Sequence, residues 1–89
     1  MAVEFRETDV LEPERLSSIS HTIRHAIGAR GGRWIVDILE EQNTRRIVIR
    51  IIGPGAFGIW RKSFGGSSGI ALRAIEQAVA DAVRDRLMD

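Results

Sequence analysis

Eighty-nine residues hold one hydrophobic core and leave no length for a second, so residues 1–89 are expected to form a single domain. With no cysteine, disulfides, thiolate metal centres and cysteine nucleophiles are excluded. Thirteen basic against twelve acidic residues leave a formal charge of +1, without the excess that polyphosphate binding usually brings.

In chain order, the segment 1–11 carries Glu4, Glu7 and Asp9, and within it Val3 to Arg6 offers a short extra strand. It contains no apolar stretch of signal-peptide length, and no segment of the chain has the length and hydropathy of a membrane span, so a cytoplasmic location is expected. Leu16, Ile19, Ile23, Ala26 and Ile27 follow at spacings of three and four, which predicts a helix over 13–27 with one apolar stripe. Pro13 suits the first turn, where its missing N–H would be unpaired, and Gly28 suits the stop.

From Arg33 the period changes to two. Trp34, Val36 and Ile38 alternate with Ile35, Asp37 and Leu39 in a first long strand, and Ile47, Ile49 and Ile51 alternate with Arg46, Val48, Arg50 and Ile52 in a second. A turn at Glu41-Gln42-Asn43-Thr44 joins them and predicts the pairs Ile38 with Ile47, Val36 with Ile49 and Trp34 with Ile51. A third strand, 57–64, follows Gly53-Pro54-Gly55-Ala56. A three-residue loop there aims Trp60 and Lys62 away from the inner isoleucines, and a four-residue loop aims them inward. A second helix over 70–87, capped by Ser67 or Ser68, buries Leu72, Ile75, Val79, Ala82 and Val83. The expected fold is therefore α+β, in α-β-β-β-α order, with a three-stranded antiparallel sheet and two helices on one face.

The motif matches are poor in chemistry. Gly53-Pro54-Gly55-Ala56-Phe57-Gly58 spells the dinucleotide-binding pattern and resembles the glycine-rich loop of protein kinases over six residues. A strand rather than a helix follows it, so no helix N-terminus is offered to a pyrophosphate, and a hairpin turn is the simpler reading. Gly66, Ser67, Ser68 and Gly69, between strand and helix, present amides and hydroxyls as an anion-binding candidate, weighed against plain helix capping. His21 and His25 lie with Glu14 and Ser18 on the polar side of the first helix. Two histidines on an open helix make an incomplete metal site, and a flat helix surface provides no oxyanion hole, so neither a metal, a cofactor nor catalysis is expected.

The α-β-β-β-α order over 12–87 is similar to that of double-stranded RNA binding domains. The resemblance implies nucleic-acid binding. That family's Gly-Pro-x-His loop element is replaced here by Glu41-Gln42-Asn43-Thr44, and its lysine cluster by Ser68-Gly69-Ile70-Ala71-Leu72-Arg73. A second route to nucleic acid is a platform of Arg46, Arg50, Trp60, Arg61 and Lys62, which would stack single-stranded bases beside positive charge. The leading expectation is instead a non-enzymatic protein-interaction module. Ile35, Leu39, Val48 and Ile52 stand on the sheet face away from the helices and invite a homodimer or another protein partner, with the edge of the third strand as the alternative contact.

Overall fold

A computed structural model describes residues 2–10, 12–28, 30–65 and 72–87. In chain order the elements are β1 (Ala2–Asp9), α1 (Pro13–Ile27), β2 (Arg33–Glu40), β3 (Ile47–Ile52), β4 (Ile59–Phe64) and α2 (Leu72–Leu87). One mixed sheet has the order β1-β2-β3-β4: β2, β3 and β4 form an antiparallel meander, and β1 lies parallel to β2. The expected three-stranded antiparallel sheet is corrected in this respect, and the added strand also departs from the α-β-β-β-α order. β1 can pair in parallel because α1 carries the chain back along the sheet, as a crossover must.

α1 starts where the sequence places it. Pro13 occupies the first turn, the amide of Leu16 donates to the carbonyl of Glu12 at 3.0 Å, and Gly28 ends the helix at a φ of 70°. Ile19, Ile23 and Ile27 of α1 meet Ile75, Val79 and Val83 of α2 above the inner face of the sheet, where Trp34, Val36, Ile38, Ile47, Ile49 and Ile51 are fully buried. Fully burying an isoleucine is worth about 1.5–3 kcal/mol, so this single cluster is the main source of stability. Leu72, expected in it, is exposed at the start of α2.

The register between β2 and β3 differs from the sequence expectation by two residues. Val36 faces Ile51 and Ile38 faces Ile49, because the loop holds Gln42 to Arg45 and closes on a bond from the Glu41 amide to the Arg46 carbonyl at 2.8 Å. Arg45 adopts a φ of 58° to make that loop. A slip of two leaves each side chain on its expected face and changes only its partners. Asp37 consequently stands opposite Arg50 rather than diagonal to it.

The second hairpin takes the four-residue loop. The Gly53 amide donates to the Gly58 carbonyl at 2.9 Å, Gly55 to Phe57 form a single 3₁₀ turn, and Trp60 faces Ile51. Phe57 drops from this turn onto Trp34, ring edge to face, with centroids 4.9 Å apart. Arg86 of α2 clips the turn in place by donating to the carbonyls of Phe57, at 2.8 Å, and Ile59, at 3.0 Å.

Candidate functional site: the outer face of the sheet

Both helices are engaged on the inner face of the sheet. Alternation then sends the remaining strand positions to the outer face, and the pairing aligns them in three rows across β1, β2, β3 and β4. The first row is Glu4, Ile35, Ile52 and Ile59. The second is Glu7, Asp37, Arg50 and Arg61. The third is Asp9, Leu39, Val48 and Ser63.

The second row is built around Asp37, which is 1% exposed. A bulge in β1 makes this possible. Phe5 pairs with Val36 and Glu7 with Asp37, so Arg6 is the extra residue and can reach across the same face. Arg6 grips Asp37 with two nitrogens, Nε to Oδ1 at 3.3 Å and Nη2 to Oδ2 at 2.8 Å. From β3, Arg50 donates to Oδ2 through Nε at 2.9 Å and also through Nη2. The Glu7 amide, next to the bulge, donates to Oδ1 at 3.2 Å. Burial pushes the Asp37 carboxyl up, but the hydrogen bonds from Arg6 and Arg50, the charge of Arg6 and the Glu7 amide outweigh it, and the group is held below the usual carboxylate range. The same contact with Asp37 raises the Arg6 guanidinium above its ordinary value.

The expected interface residues surround this cluster. Val48 is 7% exposed, Ile35 and Ile52 are half-buried, and Leu39 is 36% exposed. Ile59, turned to this face by the four-residue loop, is the most open large apolar side chain of the group at 65%. Arg61 stands exposed at the β4 end of the charged row and makes no ion pair among the described residues, and Arg46 donates through Nε to Ser63 Oγ at 2.8 Å.

The proposed basic platform is divided between two faces. Arg46, Arg50 and Arg61 lie outside, whereas the four-residue loop turns Trp60 and Lys62 to the helix side. There Trp60 packs against the core, and the Lys62 Nζ lies 5.8 Å from the centre of the Phe64 ring. His25 Nδ1 lies 3.6 Å from Glu76 of α2, and both groups are exposed. Among the described residues no group of three histidine or acidic side chains is placed to hold a metal ion. The anion-binding candidates Gly66, Ser67, Ser68 and Gly69, with the serine cap and the expected helix start at 70–71, lie outside the described residues. No helix among the described residues is long and apolar enough to cross a membrane.

Arg6 and Glu7 are the members of the site that sequence reasoning missed. The signal was present as a fault in the pattern: Val3 and Phe5 alternate correctly, and the next apolar position never arrives because the bulge interrupts the period. In comparison with known proteins, no family model, curated protein or solved structure matches the chain.

Proposed function

We propose that this chain is a non-enzymatic protein-interaction module that associates with a second copy of itself through the outer face of its sheet. The observation that carries this reading is the pair of aliphatic rows, Ile35, Ile52 and Ile59 on one side of Asp37, Leu39 and Val48 on the other, on a face opposite both helices. Water-facing sheets are normally polar on the exposed side, and apolar rows of this kind are stabilised when a partner removes them from water.

The face is favoured over the free edge of β4. That edge is short, contains Arg61 and Lys62, and has its Ile59 carbonyl occupied by Arg86. Charged residues and covered carbonyls discourage strand addition.

Light scattering coupled to size exclusion tests the reading. The wild type should move from the mass of one chain toward two as concentration rises, and Ile35→Asp and Ile59→Asp should each remain at one. Ile59 is open enough that its replacement leaves the core untouched. A wild type that keeps the mass of one chain at the highest concentration, or an Ile59→Asp variant that associates as well as the wild type, would overturn it.

A further inference from the structure

Resting on that self-association, we infer that the two copies meet face to face about a two-fold axis that runs along the strands between β2 and β3. The charged row selects this axis. Asp37 at its middle is closed over by Arg6 and Arg50, so the opposed charges that the row presents are at its ends, Glu7 on β1 and Arg61 on β4. A rotation about an axis parallel to the strands keeps the height along the strand and reverses the strand order. Each row is thereby laid over itself backwards, with Glu7 over Arg61 of the other copy and the Arg6–Asp37–Arg50 cluster over its own counterpart.

The aliphatic rows obey the same operation. Ile35 falls over the second copy's Ile52, and Leu39 over its Val48, so apolar meets apolar on both sides of the charges. At the margins Ile59 falls over Glu4, whose carboxylate is drawn aside by Arg33 at 3.7 Å. The alternative two-fold, perpendicular to the strands, keeps the strand order and sets Glu7 over Glu7 and Arg61 over Arg61. Like charges directly opposed disfavour that arrangement, which is how a charge pattern fixes orientation. The charges act mainly on orientation, since pairing them away from water costs desolvation that the aliphatic rows must offset.

Two quantities bear on the strength and on the test. Four strands about 4.8 Å apart and six residues at about 3.4 Å each give a footprint of roughly 19 by 20 Å, about 400 Å² on each copy and below the standard size of specific interfaces, so association is weak and concentration-dependent. Glu7 and Arg61 of one chain lie three strand spacings apart, roughly 14 Å, beyond the screening length at physiological salt. Any strong coupling between them must therefore arise between copies.

The experiment is a charge-swap cycle read by sedimentation equilibrium. Glu7→Arg alone sets its new guanidinium against the native Arg61 of the other copy at both contacts. Arg61→Glu alone sets its new carboxylate against the native Glu7 in the same way. Each single variant should self-associate roughly tenfold more weakly than the wild type. An equimolar mixture of the two variants, and the double variant E7R/R61E alone, restore opposite charges at both contacts and should return to within about threefold of the wild type. Both positions are exposed, and circular dichroism establishes that each variant is folded. A wild type that dimerises, with single variants unaffected or a mixture that fails to recover, overturns the axis and leaves the module reading standing. A wild type that stays monomeric removes both.

Discussion

Asp37 is the residue on which the outer face is organised. Alternation alone places it outward between Ile35 and Leu39, so its face was legible; its partners were not. Arg50 becomes the direct neighbour only after the two-residue slip in register, and Arg6 arrives through a bulge that no period predicts. Replacing Asp37 by Asn leaves two guanidinium groups and the Glu7 amide around a neutral side chain. Charge-assisted bonds are lost while the site stays closed to water, and the expected cost is about 2 kcal/mol in urea unfolding at neutral pH. The sign with pH follows from the depressed carboxyl. The folded group ionises below the unfolded one, so its contribution is full above the unfolded value of about 4 and is lost as pH falls through the folded value. The stability gap between wild type and Asp37→Asn should therefore be widest near neutrality and shrink below about pH 4. An unchanged gap in acid would show that Asp37 contributes by packing alone.

A second residue-scale prediction concerns Gly53. A Cβ there would stand 2.6 Å from Phe57 Cδ1 and 2.7 Å from Trp34 Cζ3, inside the aromatic pair that closes the end of the core. Overpacking at that point should cost Gly53→Ala about 1–3 kcal/mol by urea denaturation. In the sequence this glycine reads as one of several in a turn. Only the edge-to-face contact between Trp34 and Phe57 reveals that closeness, rather than a positive φ, requires it.

At the scale of elements, helices and strands were read well wherever a period ran uninterrupted. α1 begins and ends where Pro13 and Gly28 mark it, and β2 and β3 keep their inner and outer faces. The errors sit in loops and edges. The first hairpin loop lies one residue later than the sequence suggests, over 42–45 instead of 41–44, because Arg45 accepts a positive φ that pattern reading would assign to glycine or asparagine. β1 was legible only as a fragment, since two apolar residues followed by a bulge give half a strand signal, and parallel pairing leaves no turn to mark it. The Arg45 conformation yields a prediction: Arg45→Gly removes the Cβ strain of about 1 kcal/mol, part of which is returned as unfolded-chain entropy. A net gain of about 0.5 kcal/mol is expected by urea unfolding. A loss of stability would mean that the arginine side chain supports the loop.

For the whole molecule, the two faces of the sheet have separate tasks. The inner face joins α1 and α2 in the core and supplies most of the stability, to which the Asp37 cluster on the outer face adds. The outer face carries aliphatic rows on both sides of a charged row, and it is there that the candidate site lies. Ile35, Leu39, Val48 and Ile52 were legible in the sequence because period-two alternation assigns a face without needing the register. The arrangement of charge across the sheet was not legible, since it depends on three registers at once, one of them parallel and bulged. The most direct test is a dilution series followed by amide and methyl chemical shifts in nuclear magnetic resonance. Concentration-dependent shifts should map to Ile35, Leu39, Val48, Ile52 and Ile59 and leave the outer surfaces of α1 and α2 unmoved. Shifts that cluster on the helices, or spectra identical from the lowest to the highest concentration, would contradict the account.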